Sequence, residues 1–184
     1  MPNKTTHPHS VPTTLQGKTQ KGFEGGKDKV LELLNTLELD DFLKQFTQQV
    51  LPLKSLNWFS LDCAKFVLPI FEELLPNDKR VRKCIEINER YLNGKSNLKE
   101  LAAAAAAAYS ARFDADNYNA HTAACAAYAA FDAADLDACA AYFFAAPTIN
   151  PAIAAAFSAF SAFSASKDEM QAFIKNWIDN YFNI

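Results

Sequence analysis

Glycine nearly vanishes from this chain after its first 26 residues: five occur in all, and only Gly94 lies beyond Gly26. A phosphate-cradling loop needs several glycines within a few residues so that backbone N–H groups can approach the anion, so nucleotide-binding fingerprints are excluded. GxSxG, HExxH and CxxC are missing as well, which removes the nucleophile elbow, the zincin helix and the thioredoxin-type redox pair. Histidine is scarce. His7 and His9 flank Pro8 near the start, and in so polar a stretch they read as solvated residues rather than a metal pair. The four cysteines, Cys63, Cys84, Cys125 and Cys139, show no paired spacing. Each falls inside a segment of helical pattern, so they read as free cytosolic thiols that pack like small hydrophobes.

Excess positive charge is also missing. The formal net charge is −3, which argues against a partner bound through phosphate neutralisation, hence against nucleic acid. The charge is uneven. Residues 1–29 hold five Lys against Glu24 and Asp28, or +3, which leaves −6 for the rest (13 basic, 19 acidic). Between 101 and 166 Arg112 stands alone against Asp114, Asp116, Asp132, Asp135 and Asp137, so that region favours a cationic partner.

A stretch without charge, Ala138 to Ser166, has the length of a membrane span. Pro147, Asn150 and Pro151 interrupt it and serine is frequent after them, so no membrane crossing is expected. The opening "MPNKTTHPHSVPTT" has no apolar core of a secretory signal. The expected location is cytoplasmic.

What the chain has in abundance is alanine and phenylalanine. Half of the residues are hydrophobic and fifteen are Phe, enough for a packed core in one domain of this size. Residues 1–25, with their prolines, glycines and lysines, read as a flexible tail, and 26–184 as a single compact domain. From Lys27, "KVLELLNTLELDDFLKQFTQQVL" places apolar residues at three- and four-residue steps, giving two short helices with Asp40 or Asp41 as the break. "SLNWFSLDCAKFVLPIFEELL" continues as a longer helix that Pro69 should kink. Pro76 and Asn77 close it, Asp78 can cap the next helix, and Gly94 ends that one. Ser96 offers an N-cap for the alanine helix "LKELAAAAAAAYSARF". Three further alanine-rich segments follow, and "KDEMQAFIKNWIDNYF" closes the chain with Met170, Phe173, Ile174, Trp177, Ile178 and Tyr181 on one face. No stretch alternates at period two, so the expected class is all-α, about nine helices with an alanine-rich C-terminal half.

Alanine forms helix more readily than any other residue because it loses no side-chain entropy, yet its methyl buries little area. Such helices contribute packing only by coming close to their neighbours. Larger side chains, among them Tyr109, Phe113, Tyr128 and Phe131, would then fill the gaps. In "AFSAFSAFSAS" Phe157, Phe160 and Phe163 recur every third residue, a pattern read as a core face.

Few residues invite a chemical role. His121 and Cys125 stand four apart on one helical face but lack a third ligand. "DADNYNAHTAAC" begins like a calcium loop, yet has no glycine at its sixth position and ends in Cys125 where a glutamate belongs. The aspartates fall at predicted helix junctions, where carboxylates cap exposed N–H groups. No metal, cofactor or catalytic residue is expected. "NDKRVRK", with Asp62, Glu72, Glu73 and Glu86 nearby, suggests ion pairs between adjacent helices or a charged recognition surface. Exposed pairs contribute only about 0 to 1 kcal/mol, so stability alone does not call for this density.

"LDCAKFVLPIFEELLPNDKRVRKCIEINERYLNG", residues 61–94, followed by alanine helices, resembles the immunity proteins of bacterial polymorphic toxin systems. Their pattern runs "DCAERVLPLFE", then "P-x-D-x-R-P-R-x-A-I-E-A", then "W/Y-x-x-G". Asp62, Cys63, Ala64, Pro69, Glu72, Pro76, Asp78, Arg80, Arg82, Ile85, Glu86 and Gly94 match it, while Val81 stands in place of a proline. The resemblance implies a cytosolic, non-enzymatic protein that neutralises a cognate toxin by direct binding. The surface expected to do so comprises Glu72, Glu73, Asp78, Lys79, Arg80 and Arg82, together with Asp114 and Asp116 of the aspartate rim. A helical adaptor or homo-oligomeric scaffold built on alanine faces is the alternative.

Overall fold

A computed structural model describes residues 26–46, 53–116, 119–121, 123–125 and 167–182. Within them the chain is all-α, with no strand. Helices α1 (Gly26–Thr36), α2 (Leu39–Gln45), α3 (Leu53–Leu74), α4 (Arg80–Leu92), α5 (Leu98–Asp114) and α6 (Lys167–Phe182) are accompanied by helical residues at 119–121 and 123–125. That makes seven helical segments where the sequence pattern suggests about nine. The expectations for the tail, for "ACAAYFFAA" and for "AIAAAFSAFSAFSAS" lie outside the described residues. Among the described residues no helix is long and apolar enough to cross a membrane.

The break between α1 and α2 falls at Leu37 and Glu38, so Asp40 and Asp41 lie inside α2 rather than capping it. Leu39, Phe42, Leu43 and Phe46 are all buried. Starting the helix at Leu39 puts these four on one inward face, and that burial outweighs the capping preference of aspartate. Helix α3 runs unbroken through Pro69 for 22 residues, with the proline ring on its exposed side.

Two hydrophobic clusters result. The larger joins α1, α2, α3 and α6 with Val81 and Ile85 of α4. Trp177 is its hub: it meets Phe59 at 5.1 Å and Phe46 at 6.1 Å edge-on, and stacks on Tyr181 at 4.9 Å. Its indole N–H donates to Asp62 at 3.0 Å, giving the acidic residue of the "DCA" triplet a structural task. All six apolar residues expected on one face of α6 are buried. The smaller cluster lies between α4 and α5 and consists of Cys84, Ile87, Leu101, Ala104, Ala105 and Ala108. These two helices form the most extensive helix pair among the described elements.

The α4–α5 turn is fixed at both ends by its own residues. Gly94 has φ +70°; its N–H donates to Tyr91 O at 2.9 Å and that of Lys95 to Arg90 O at 2.7 Å, the paired bonds of a Schellman stop. The N-cap of α5 is Asn97, one residue beyond the expected Ser96. Its Oδ1 accepts from Glu100 N at 3.0 Å, while Ser96 Oγ donates to the Glu100 carboxylate at 2.7 Å. Glu100 thus supplies the reciprocal half of a cap that Lys99 could not.

Candidate functional site

The charged motif occupies the turn from α3 to α4 and reaches the far end of α5. The N-cap position of α4 is Lys79, one beyond the expected Asp78, though the Asp78 side chain still accepts from Arg80 N at 3.0 Å. Arg80 then folds back on it, with Nε 3.0 Å from Oδ1 and Nη2 2.6 Å from Oδ2. Its remaining nitrogen, Nη1, donates to Asp114 at 2.6 Å. Two residues on, and so on another side of α4, Arg82 grips both carboxylate oxygens of Glu72 on α3. Lys79 approaches the same carboxylate at 3.9 Å.

The two arginines therefore tie α4 to both neighbours, Arg82 to α3 and Arg80 to α5. Fork-shaped pairing of this kind fixes orientation as well as adding energy. Arg82's hydrogen bonds hold the Glu72 carboxyl below its usual range, with Lys79 adding to the effect. Arg80's hydrogen bonds do the same for Asp78. Both carboxylates stay ionised well into acid.

Asp114 departs from its expected role. It is the last residue of α5, at the end where backbone carbonyls gather and a carboxylate is disfavoured. The Arg80 guanidinium offsets the conflict. Asp116 is exposed just beyond. Of the eight residues expected to form the recognition surface, six form a lattice of two separate ion-pair groups around the start of α4, Glu72 with Lys79 and Arg82 in one and Asp78 with Arg80 and Asp114 in the other, and Glu73 and Asp116 stand exposed outside both. Glu86, also on α4, faces solvent.

Two features of this region escape the sequence pattern. Phe113, expected to fill a gap between helices, is 64% exposed. It lies edge-on to Tyr109 at 5.2 Å, and the Arg112 guanidinium covers both rings, 3.8 Å from the Tyr109 centroid and 4.5 Å from that of Phe113. The available signal was the isolated cation between aromatic residues at i−3 and i+1. Asn88, in the middle of α4, is fully buried and neither Nδ2 nor Oδ1 has a hydrogen-bond partner among the described residues. A polar residue interrupting the apolar line of α4 was its only trace.

The remaining chemical candidates are occupied or inert. His121 Nδ1 lies 2.8 Å from Arg112 O, a carbonyl that can only accept, so this nitrogen is the donor. Cys125 Sγ sits 4.0 Å from Arg112 Nη1. Cys63 and Cys84 are buried free thiols; burial pushes the Cys63 thiol up and the adjacent Asp62 adds to the shift, the opposite of an activated nucleophile. Among the described residues no three His, Cys, Asp or Glu side chains cluster as metal ligands would. A cavity of about 450 Å³ lies on the α4–α5 surface, lined by Ile87, Ala103, Ala104 and Ala107 with Lys83, Arg90 and Glu100 at its edge. Arg90 there is 3.7 Å from Glu100.

The described frame is all-helical, with ion pairs on two sides of α4. The family model for the Imm-5 like putative immunity protein matches residues 49–152, more than half of the chain and all of the lattice. The chain belongs to that immunity protein family. No curated protein and no solved structure matches it.

Proposed function

We propose that this protein binds a cognate bacterial toxin and neutralises it by direct protein–protein contact, without chemistry of its own. The observation that carries this reading is family membership across residues 49–152. The toxin, cytoplasmic action and a role in protecting producing cells from their own or their kin's toxin belong to the same proposal. So does the absence of catalysis, nucleic-acid binding and membrane association.

The α3–α4 turn and the end of α5 supply the proposed contact surface: Glu72, Glu73, Asp78, Lys79, Arg80, Arg82, Asp114 and Asp116. Because most of these charges are already paired within the chain, their side chains are held in place before a partner arrives. Preorganisation of this sort reduces the ordering cost of association. A stable interface buries on the order of 1,600 Å² in total, which a domain of this size can present. Occlusion of the toxin's working surface is the mechanism.

Co-expression tests the proposal. The protein encoded beside this gene should arrest growth when produced alone, and this chain should restore growth and co-purify with it. If no neighbouring product is toxic, or if toxicity persists in the presence of this chain, the proposal fails. A scaffold role would use the exposed Ala103 and Ala106 of α5; light scattering that finds a monomer argues against it.

A further inference from the structure

The chain has four arginines, and three of them end on carboxylates: Arg80 on Asp78 and Asp114, Arg82 on Glu72, and Arg90 near Glu100. Arg112 alone ends on rings. Its guanidinium lies over Tyr109 and Phe113, among the described residues its side chain otherwise makes only the long approach to Cys125 Sγ, and its buried Nε has no acceptor among them.

Three properties of this arrangement run against folding alone. A phenylalanine 64% exposed leaves its apolar surface in water, which burial would favour by about 25 cal/mol per Å². A buried donor without an acceptor is destabilising. Among the described residues no carboxylate pairs with the Arg112 guanidinium, and the neighbouring Asp114 already belongs to Arg80. The first and third would be relieved by one event: a partner surface that covers Phe113 and brings a carboxylate to the terminal nitrogens of Arg112, since the solvent-inaccessible Nε is beyond a partner's reach.

We infer that Tyr109, Arg112 and Phe113 form the anchor of the toxin interface, and that the matching surface of the toxin carries a carboxylate beside an apolar side chain. Tyrosine and arginine are over-represented among residues that dominate binding energy, and such residues work best when held in place and then fully desolvated. Stacking holds Arg112 over the rings in the free protein, so its fork is presented without further ordering. The lattice at the α3–α4 turn then forms the polar rim, bound to this anchor through Arg80 and Asp114. Asp116, exposed nearby in the chain, adds polarity: the partner's carboxylate goes to Arg112 and a partner cation to Asp116.

This inference rests on the toxin-binding proposal, and one experiment separates their failures. Titration calorimetry of the full chain against the purified protein encoded beside its gene should give tight binding for the wild type. Phe113→Ala and Arg112→Ala should each weaken it by at least about 30-fold, as expected of anchor residues. Arg112→Lys keeps the charge but not the planar stack, and should weaken binding by about tenfold or more. Phe113 is exposed, so Phe113→Ala should melt with the wild type, which separates lost binding from lost folding. Wild-type binding with Phe113→Ala and Arg112→Ala within about threefold of it overturns the anchor and leaves the toxin proposal standing. No wild-type binding removes both. A concentration-dependent dimer of the free chain that Phe113→Ala abolishes would assign the patch to self-association instead, and would overturn the inference.

Discussion

The two cores of this molecule are built from opposite ends of the side-chain size range. Between α3 and α6, Phe46, Phe59, Trp177 and Tyr181 interlock as rings. Between α4 and α5, Ala104, Ala105 and Ala108 meet Cys84 and Ile87 as methyls and short chains. A buried aromatic removes about 150 to 250 Å² from water, so the ring core draws its stability from area. The alanine core removes far less. Its helix is favoured locally by alanine propensity, is fixed at its start by the Asn97–Glu100 cap, and is tied at its end by Arg80 to Asp114. One region is held by burial and the other by local preference plus clamps.

The contrast breaks most severely at Trp177, which is buried and hydrogen-bonded to Asp62. Trp177→Ala should destabilise the protein by about 3 to 5 kcal/mol, read as a shift in the urea midpoint; a loss below about 1 kcal/mol would contradict the ring hub. The alanine core should instead fail by overfilling. Ala108 is fully buried and faces α4, so Ala108→Leu should cost about 1 to 3 kcal/mol. Ala106, on the exposed side of the same helix, is the control: Ala106→Leu changes propensity by only a few tenths of a kcal/mol, about the limit of detection. Equal effects at both positions would mean that α5 does not pack closely on α4.

The ring core was legible in the sequence because large apolar residues at helical spacing have few alternatives to burial. Trp177 and its neighbours in α6 fall on the predicted face for that reason. Helix punctuation was legible where it was unique, as at Gly94, and displaced by one residue at Asn97, where two adjacent polar residues compete for the same cap. The alanine helix gave no such guidance. With seven identical residues in a row, periodicity carries no information about which methyls face inward, so the pattern could not show that Ala104, Ala105 and Ala108 are inside while Ala103 and Ala106 are outside. The same blindness hid Phe113: an aromatic residue at the end of a featureless helix was assigned to the interior by habit of hydrophobicity alone. For the charged motif, the sequence places Glu72, Asp78, Arg80 and Arg82 near one another, but which carboxylate each arginine takes depends on helix placement, and Asp114 lies 34 positions from Arg80.

Asn88 sits where the two cores meet. Val81 and Ile85 of the same helix belong to the ring core, Cys84 and Ile87 to the alanine core, and the amide between them is fully buried with both polar atoms unpartnered among the described residues. Such a group costs about 1 to 3 kcal/mol, whereas an apolar side chain of similar volume at the same place has no such penalty. Asn88→Leu should therefore stabilise the protein by about 1 to 2 kcal/mol, seen as a higher urea midpoint with an unchanged slope. Destabilisation would mean that the amide is satisfied by ordered water, a partner that a polar site at a core junction can hold. The sign of this one change decides whether the boundary between the cores is dry like the cores themselves or hydrated.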